Sequence, residues 1–470
     1  MKNYNRLWLQ ISKKIKIQLI FLIIIMIFAS FAEVFSIGAV LPFLGVLTAP
    51  EKVYNLEIIK PIIYYFNLES PNDLILPLTL IFAFSTILAG SLRVILIWFQ
   101  TSIGFKIGAD LSNLIFRRTI FQPYSNHTSM NSSDIVATIT NKTDSVIDQT
   151  IIPILILLSS SIIFISILSI LIFINPQIAI LASTLFAFIY SILLILSKRF
   201  LQKNSFILSR KYNEVVKSIQ EALGGIREII IDGTQETYSD IHKNAQIPLK
   251  KARSNIYIVS QTPRFAIEAI GMVFIALLAY FVSTRSFGFT DAIPLLGTLA
   301  LGAQRLLPVL QQIYFSWTSL RGGKEPLLDV LNLLEQQVPN ERKYSNIKPM
   351  LFNNNIEFKD VSFNYFQNNN NVLKNVNLSI KKGTKVGLVG KTGCGKSTLI
   401  DILMGLLTPS KGEILIDGKT LTSENIRSWQ LHISHVPQLV FLSDSKFLFL
   451  NWRHNFGMAM KYDPVYLICI

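Results

Sequence analysis

The chain has 470 residues, 50% hydrophobic and only 16% charged, with a formal charge of +15 and a mean hydropathy of +0.44. A soluble chain carries about 25% charged residues, so this balance excludes one large soluble core and points to a membrane protein of roughly two to four domains. The basic residues cluster between apolar stretches, as in cytoplasmic loops, which argues against a nucleic-acid partner.

The N-terminus carries Lys2, Arg6, Lys13, Lys14 and Lys16 and then turns apolar from Ile17 to Leu47. That run is too long for a signal-peptide core of about 7–15 residues, so it predicts a first membrane span. Five more stretches follow: Leu74–Ser102, Ile151–Ile174, Ile178–Leu196, Asn255–Ser283 and Asp291–Trp317. Each meets or approaches the roughly 20 apolar residues that a spanning helix needs. The connections after the second and fourth spans are rich in Lys and Arg, whereas the first, third and fifth connections are poor in them. The positive-inside rule therefore puts both chain ends in the cytoplasm. The two basic connections run to roughly 45 and 55 residues, too long for structureless loops. "ADLSNLIFRRTIF" and "NEVVKSIQEALGGIREIII" have helical apolar spacing, which predicts arms whose tips, near Gln122–His127 and Asp232–Tyr238, reach a cytoplasmic domain.

A helical stretch, "GGKEPLLDVLNLLEQQ", precedes a polar linker containing Pro339, Asn340 and Pro349. "IEFKDVSFNYF" and "VLKNVNLSI" alternate as strands do, and "GTKVGLV" reads as a short buried strand. Next comes Gly390-Lys391-Thr392-Gly393-Cys394-Gly395-Lys396-Ser397, followed by Thr398, the full P-loop pattern between a strand and the helical "KSTLIDILMGLL". Its glycines let backbone N–H groups curl around phosphate oxygens at a helix N-terminus. Lys396 would reach the β- and γ-phosphates of ATP, and Ser397 would bind Mg²⁺. Cys394 and Cys469, the chain's two cysteines, imply neither a disulfide framework nor a metal site.

On these motifs the chain resembles the ABC exporters of the half-transporter type. The resemblance implies an all-α six-helix transmembrane domain over residues 1–325, a linker over 326–350 and an incomplete α/β P-loop nucleotide-binding domain over 351–445. It also implies that Tyr365 in "VSFNYF" stacks on adenine, that "KGEILIDGKTL" is a hairpin turning at Asp417-Gly418, and that Gln438 in "ISHVPQ" contacts Mg²⁺ and moves with the arms. The partner it implies is a second copy, a homodimer in which each ATP is clamped between one P-loop and the other chain's signature. After Ser445 the family pattern stops. No LSGGQ-like signature, no apolar strand ending in Asp-Glu and no switch His follows, and residues 446–470 form an atypical tail. A frame shift near Ser445 is the favoured explanation and a genuine short tail the other. Either way this chain is expected not to hydrolyse ATP at a useful rate, and a non-catalytic ATP-binding membrane protein stands as the reading of another class.

Charges inside spans are costly and usually functional. Glu33, Arg93, Arg264, Glu268 and Arg305 all lie there. Three arginines suit an anionic group such as pyrophosphate; the plainer reading pairs Glu33 with Arg93 and Arg264 with Glu268, and leaves Arg305 without a carboxylate nearby in sequence. The membrane half is also similar to bacterial flippases for lipid-linked oligosaccharides. That similarity rests on "QPYSNHTSMNSSDIVATITNKTDSVIDQTIIP", "GGIREIIIDGTQ" and these arginines. It implies that Arg93, Arg264 and Arg305 handle an anionic lipid-linked substrate in a bacterial plasma membrane, with "YNLEIIKPIIYYF" as an interface helix. Export of lipids, peptides or drugs is the alternative within the class.

Overall fold

The computed structural model describes residues 2–57, 60–66, 68–174, 176–284, 289–336, 347–365, 371–436 and 465–467. The chain divides into two compact units, one of residues 1–119 and 132–336, the other of 120–131 and 337–470.

The first unit is helical. Its principal elements are α1 (Lys2–Gln10), α2 (Lys13–Thr48) and α3 (Ile75–Ile120). Beyond the tip helix α4 (Tyr124–Ser129), which belongs to the second unit, come α5 (Ile152–Ile174), α6 (Pro176–Gly224), α7 (Gln235–Gln261), α8 (Pro263–Thr284), α9 (Phe289–Gly322) and α10 (Lys324–Leu334). Among the described residues, four helical segments are long and apolar enough to cross a membrane: Lys13–Thr48, Pro71–Ile120, Ser132–Ile174 and Ala179–Gly224. Helices α8 and α9 cover the fifth and sixth expected spans. α3 has 46 residues and α6 has 49, about 70 Å each, more than twice the roughly 30 Å hydrocarbon thickness. The surplus forms the arms that the basic connections predict. Phe28, Phe31, Phe84, Ile87 and Trp98 are exposed on these helices, which fits lipid as their solvent, since hydrocarbon rewards outward apolar side chains.

Small and polar residues join the helices. A Cβ on Gly108 would stand 2.0 Å from Ile147 Cδ1, and one on Gly104 would stand 2.7 Å from Ile152 Cγ1, so both glycines permit close backbone approach. Gln100 Nε2 donates to Ser159 Oγ at 2.8 Å and to the Leu155 carbonyl at 3.2 Å, tying α3 to α5. Beyond the apolar segments Lys142 is 2% exposed and pairs with Asp329 at 2.6 Å, and Ser209 donates to the same carboxylate. Lys142 ends a π-helical turn, Thr138–Lys142, and Asp329 lies on α10. Thus residues 326–334, expected as the start of the linker, are a packed helix that buries Leu327, Val330, Leu331 and Leu334. Apolar positions three and four apart decide for helix over linker there. α1 joins α10 through a two-pronged bond, Arg6 Nε to Glu335 Oε1 at 2.6 Å and Nη2 to Oε2 at 2.5 Å.

The second unit carries a four-stranded antiparallel sheet ordered β2-β1-β3-β4: β1 (Asn355–Phe363), β2 (Leu373–Lys381), β3 (Lys411–Ile416) and β4 (Lys419–Thr420). Ile356 opposes Ile380 on one side and Ile416 on the other, and Phe358 opposes Leu378 and Ile414. With Phe352, Val361, Ile402, Leu403 and Trp429 these residues form the core. Trp429 is wholly buried and its Nε1–H donates to the Leu403 carbonyl at 2.8 Å, so its polar handle is satisfied. The expected turn between β3 and β4 is present: Asp417 and Gly418 have φ of 49° and 79°, the pair of left-handed positions that a two-residue hairpin takes. One expectation fails here. Residues 385–389, "KVGLV", form no strand, and Val389 is 99% exposed. A parallel strand is stable only with neighbours along its edges, and no described strand pairs with this segment. In the tail, β6 (Val465–Leu467) lies parallel to β5 (Ile433–His435).

Candidate functional site

The P-loop connects the irregular segment 384–391 to α11 (Lys396–Leu403). Gly393 and Gly395 have φ of 84° and 96°, a region closed to most side chains. A Cβ on Gly395 would also come within 2.8 Å of Leu373 Cδ2. Lys396 Nζ donates to the carbonyls of Gly390 at 2.8 Å and Lys391 at 3.0 Å, and lies 3.8 Å from Cys394 Sγ. Among the described residues its ammonium has no carboxylate partner, so the loop holds a positive charge beside the N-terminus of α11. That charge and the left-handed glycines fit a polyphosphate. Lys391, Thr392, Cys394 and Ser397 are exposed, whereas Thr398 is buried.

Tyr365 stands beside this loop. Its hydroxyl and Thr398 Oγ1 are 3.0 Å apart, its ring meets Phe363 edge-on at 5.0 Å, and it is 42% exposed. An anchored ring with an open side is suited to stacking on a base. Gln438 lies outside the described residues. For Mg²⁺ the described chain supplies the Ser397 hydroxyl and no group of three or more His, Cys, Asp or Glu side chains. Mg²⁺ commonly takes one or two protein oxygens plus substrate phosphates and water.

Sequence reasoning did not single out Tyr124 and Asp401 for this neighbourhood. Asp401 lies on α11, and burial pushes its carboxyl above the usual range while His435 pulls it down. Tyr124, on α4, has its hydroxyl pushed up first by burial and then by the charges of Asp401 and Tyr365. The arm tip therefore brings a tyrosine into the second unit beside the P-loop helix. Only the expectation that arm tips reach a cytoplasmic domain hinted at this.

Within the helical unit, Glu33 is buried. Arg93 Nη1 approaches its Oε1 at 3.5 Å, and Arg305 Nη1 donates to its Oε2 while Nη2 reaches Ser36 Oγ at 3.4 Å. Arg305 thus has a carboxylate after all, contributed by α2 across the bundle. Arg264 shares none of these partners. Its Nε donates to Glu268 at 3.0 Å, and Gln311 Nε2 reaches the same oxygen at 3.4 Å.

Comparison with known proteins fits this architecture. Residues 16–291, more than half of the chain, match the family described as the ABC transporter transmembrane region. The chain belongs to the ABC transporter family. Residues 373–461 match the second family, described as ABC transporter; this match takes in the P-loop and runs past Ser445. Relatives include the ATP-dependent lipid A-core flippase of Idiomarina loihiensis, 23% identical over 80% of this chain and 64% of that protein. Another is the mitochondrial iron-sulfur clusters transporter atm1 of Neurospora crassa, 30% identical over 40% of this chain and 27% of that one. This ABC-family chain therefore spans less than two-thirds of the length of either. A solved bacterial Atm1-family ABC exporter with ATP bound superposes with a TM-score of 0.68 at 16% identity, over 91% of this chain and 72% of that one. The fold is that of the exporters: a helical membrane unit followed by part of a nucleotide-binding domain.

Proposed function

We propose that this chain is one half of a homodimeric ABC exporter of a bacterial plasma membrane, with both termini cytoplasmic, that moves an amphiphile such as a lipid-linked oligosaccharide in response to ATP. The observation that carries this reading is the Lys396 ammonium, without a carboxylate partner among the described residues, set among left-handed glycines on the same chain as an exporter-type helical unit. In this reading Lys396 and the N–H groups of the loop hold the phosphates, Ser397 faces Mg²⁺, Tyr365 covers the adenine and Gln438 adds a further oxygen toward the metal. ATP supplies the free-energy difference between conformations.

The choice of an amphiphile is supported by the likeness to a lipid A-core flippase over 80% of the chain and by the charges within the bundle. Arg93 and Arg305 share the one carboxylate of Glu33. That leaves a net positive charge at membrane depth, which an anionic lipid headgroup would offset. Arg264 is already matched by Glu268. Two measurements on the chain in lipid nanodiscs test the proposal. A fluorescent ATP analogue should bind to the wild type and lose at least tenfold in affinity in Lys396→Ala. A polyprenyl-pyrophosphate glycan should bind, and should bind less well to Arg93→Gln/Arg305→Gln. Equal binding of the glycan by that variant would reject the arginine pair, and unchanged ATP binding by Lys396→Ala would reject the P-loop assignment.

A further inference from the structure

A cavity of about 290 Å³ lies between the helices of the first unit where α7 gives way to α8. That is near the small end of ligand cavities, roughly 300–1,000 Å³. Tyr190, Gln261, Arg264, Gln311, Gln312 and Tyr314 are among its lining residues. Pro263 and Pro308 line it too. A proline removes one helical hydrogen bond, and membrane helices tolerate this where the freed backbone group can be satisfied again, as at a polar cavity.

The polar groups left over in this cavity have a pattern. Arg264 is charge-balanced by Glu268 through its Nε, so the pair brings no net charge. Gln311 spends its amide N–H on Glu268 and keeps its carbonyl oxygen. Gln312 spends its carbonyl on Ser160, which donates at 2.9 Å, and keeps its N–H₂. The Tyr190 residue is 8% exposed, and its buried hydroxyl has no hydrogen-bond partner. Buried polar groups are nearly always paired, so an orphaned hydroxyl on a cavity wall asks for a ligand atom or an ordered water. What remains is a mixed set: the Gln311 carbonyl, the Gln312 N–H₂, the Gln261 amide, the Nη groups of Arg264 and a hydroxyl able to donate and accept, beside the rings of Tyr190 and Tyr314, whose centroids are 5.6 Å apart.

We infer that this cavity is a subsite for an uncharged polyhydroxyl group, a sugar ring of an amphiphilic glycan, and is separate from the cationic cluster around Glu33. Sugar hydroxyls both donate and accept, which suits the mixed set of amide and phenol groups. A phosphate offers acceptors alone, and the arginine that lines this cavity is already matched by the Glu268 carboxylate. The apolar face of a sugar ring would lie against tyrosine. The inference rests on the exporter reading only in taking the helical unit to be where substrate is handled.

The test uses the whole chain in phospholipid nanodiscs and three photoactivatable probes with one alkyl chain, ending in a neutral glycoside, a phosphate or a bare hydroxyl. Crosslinked peptides are mapped by mass spectrometry. The glycoside probe should label peptides containing Tyr190, Gln261 or Gln311, with competition by unlabelled glycoside, and the other two probes should not. Tyr190→Phe removes the hydroxyl and keeps the ring, so it should lower this labelling about three- to tenfold; Gln261→Leu should lower it as well. The inference is overturned if no probe labels the cavity, if the phosphate probe labels it best, or if both variants label like the wild type in nanodiscs of unchanged elution. Glycoside labelling without ATP binding would keep the subsite and reject the exporter reading. ATP binding without cavity labelling would do the reverse.

Discussion

At the scale of single residues, Gly395 sets how the phosphate loop closes. Its φ of 96° and the 2.8 Å approach that a Cβ would make to Leu373 leave no room for a side chain. Gly395→Ala should cost about 1–3 kcal/mol in the second unit and weaken ATP binding at least tenfold, read by thermal melting and analogue titration. Asp417 gives a pH dependence. Burial alone would raise its carboxyl, but the N–H groups of Asn353, Asn355 and Asn354, with Lys382, outweigh burial and hold it below the usual range. A depressed folded-state value stabilises above the unfolded value of about 3.9, and that stability is lost as pH falls through the folded value. The melting temperature of Asp417→Asn should lie below that of the wild type at pH 7, and the gap should narrow as pH falls below the unfolded value of about 3.9. Residue identity was also the most legible level of the sequence. The P-loop was legible because its glycines and its Lys-Ser pair at a helix start form a pattern within eight consecutive residues. Arg305 was not legible, because its carboxylate lies 272 residues away in the chain, beyond any local pattern.

At the scale of elements, long apolar runs announced α2, α3, α5 and α6, because hydrocarbon leaves a backbone little choice but a helix. Helix α10 was legible as a helical stretch, but its packing was not, since its partner Lys142 lies in a distant segment. The "KVGLV" strand failed for the complementary reason: an apolar run of five fits a buried strand, but strands need neighbours that local sequence does not specify. The pair of Lys142 and Asp329 makes a sharp prediction here. Lys142 is 2% exposed, and the side chain of Asp329 is 36% exposed. Asp329→Ala strands a buried ammonium and should cost about 3 kcal/mol. Lys142→Met leaves a carboxylate that water can still reach and should cost clearly less. Denaturation of both variants in detergent, with the double variant to close the cycle, checks the asymmetry.

At the scale of the whole molecule, one chain carries a helical membrane unit and part of a nucleotide-binding domain, and the second unit includes residues 120–131. Sequence patterns predicted long helical arms with a tip near Gln122–His127, and residues 120–131 do group with the second unit. The patterns could not say that Tyr124 would share an electrostatic environment with Asp401 and Tyr365, because tertiary neighbours 241 and more residues apart leave no mark on local spacing. If ATP and an amphiphile act on one conformational equilibrium, each must change the other's affinity by the same factor. The most direct test is titration of a fluorescent ATP analogue into the chain in nanodiscs, with and without a saturating polyprenyl-pyrophosphate glycan. A shift of at least about fivefold in ATP affinity is expected, absent in Arg93→Gln/Arg305→Gln. Identical titrations with and without the glycan, in a chain that binds both, would contradict it.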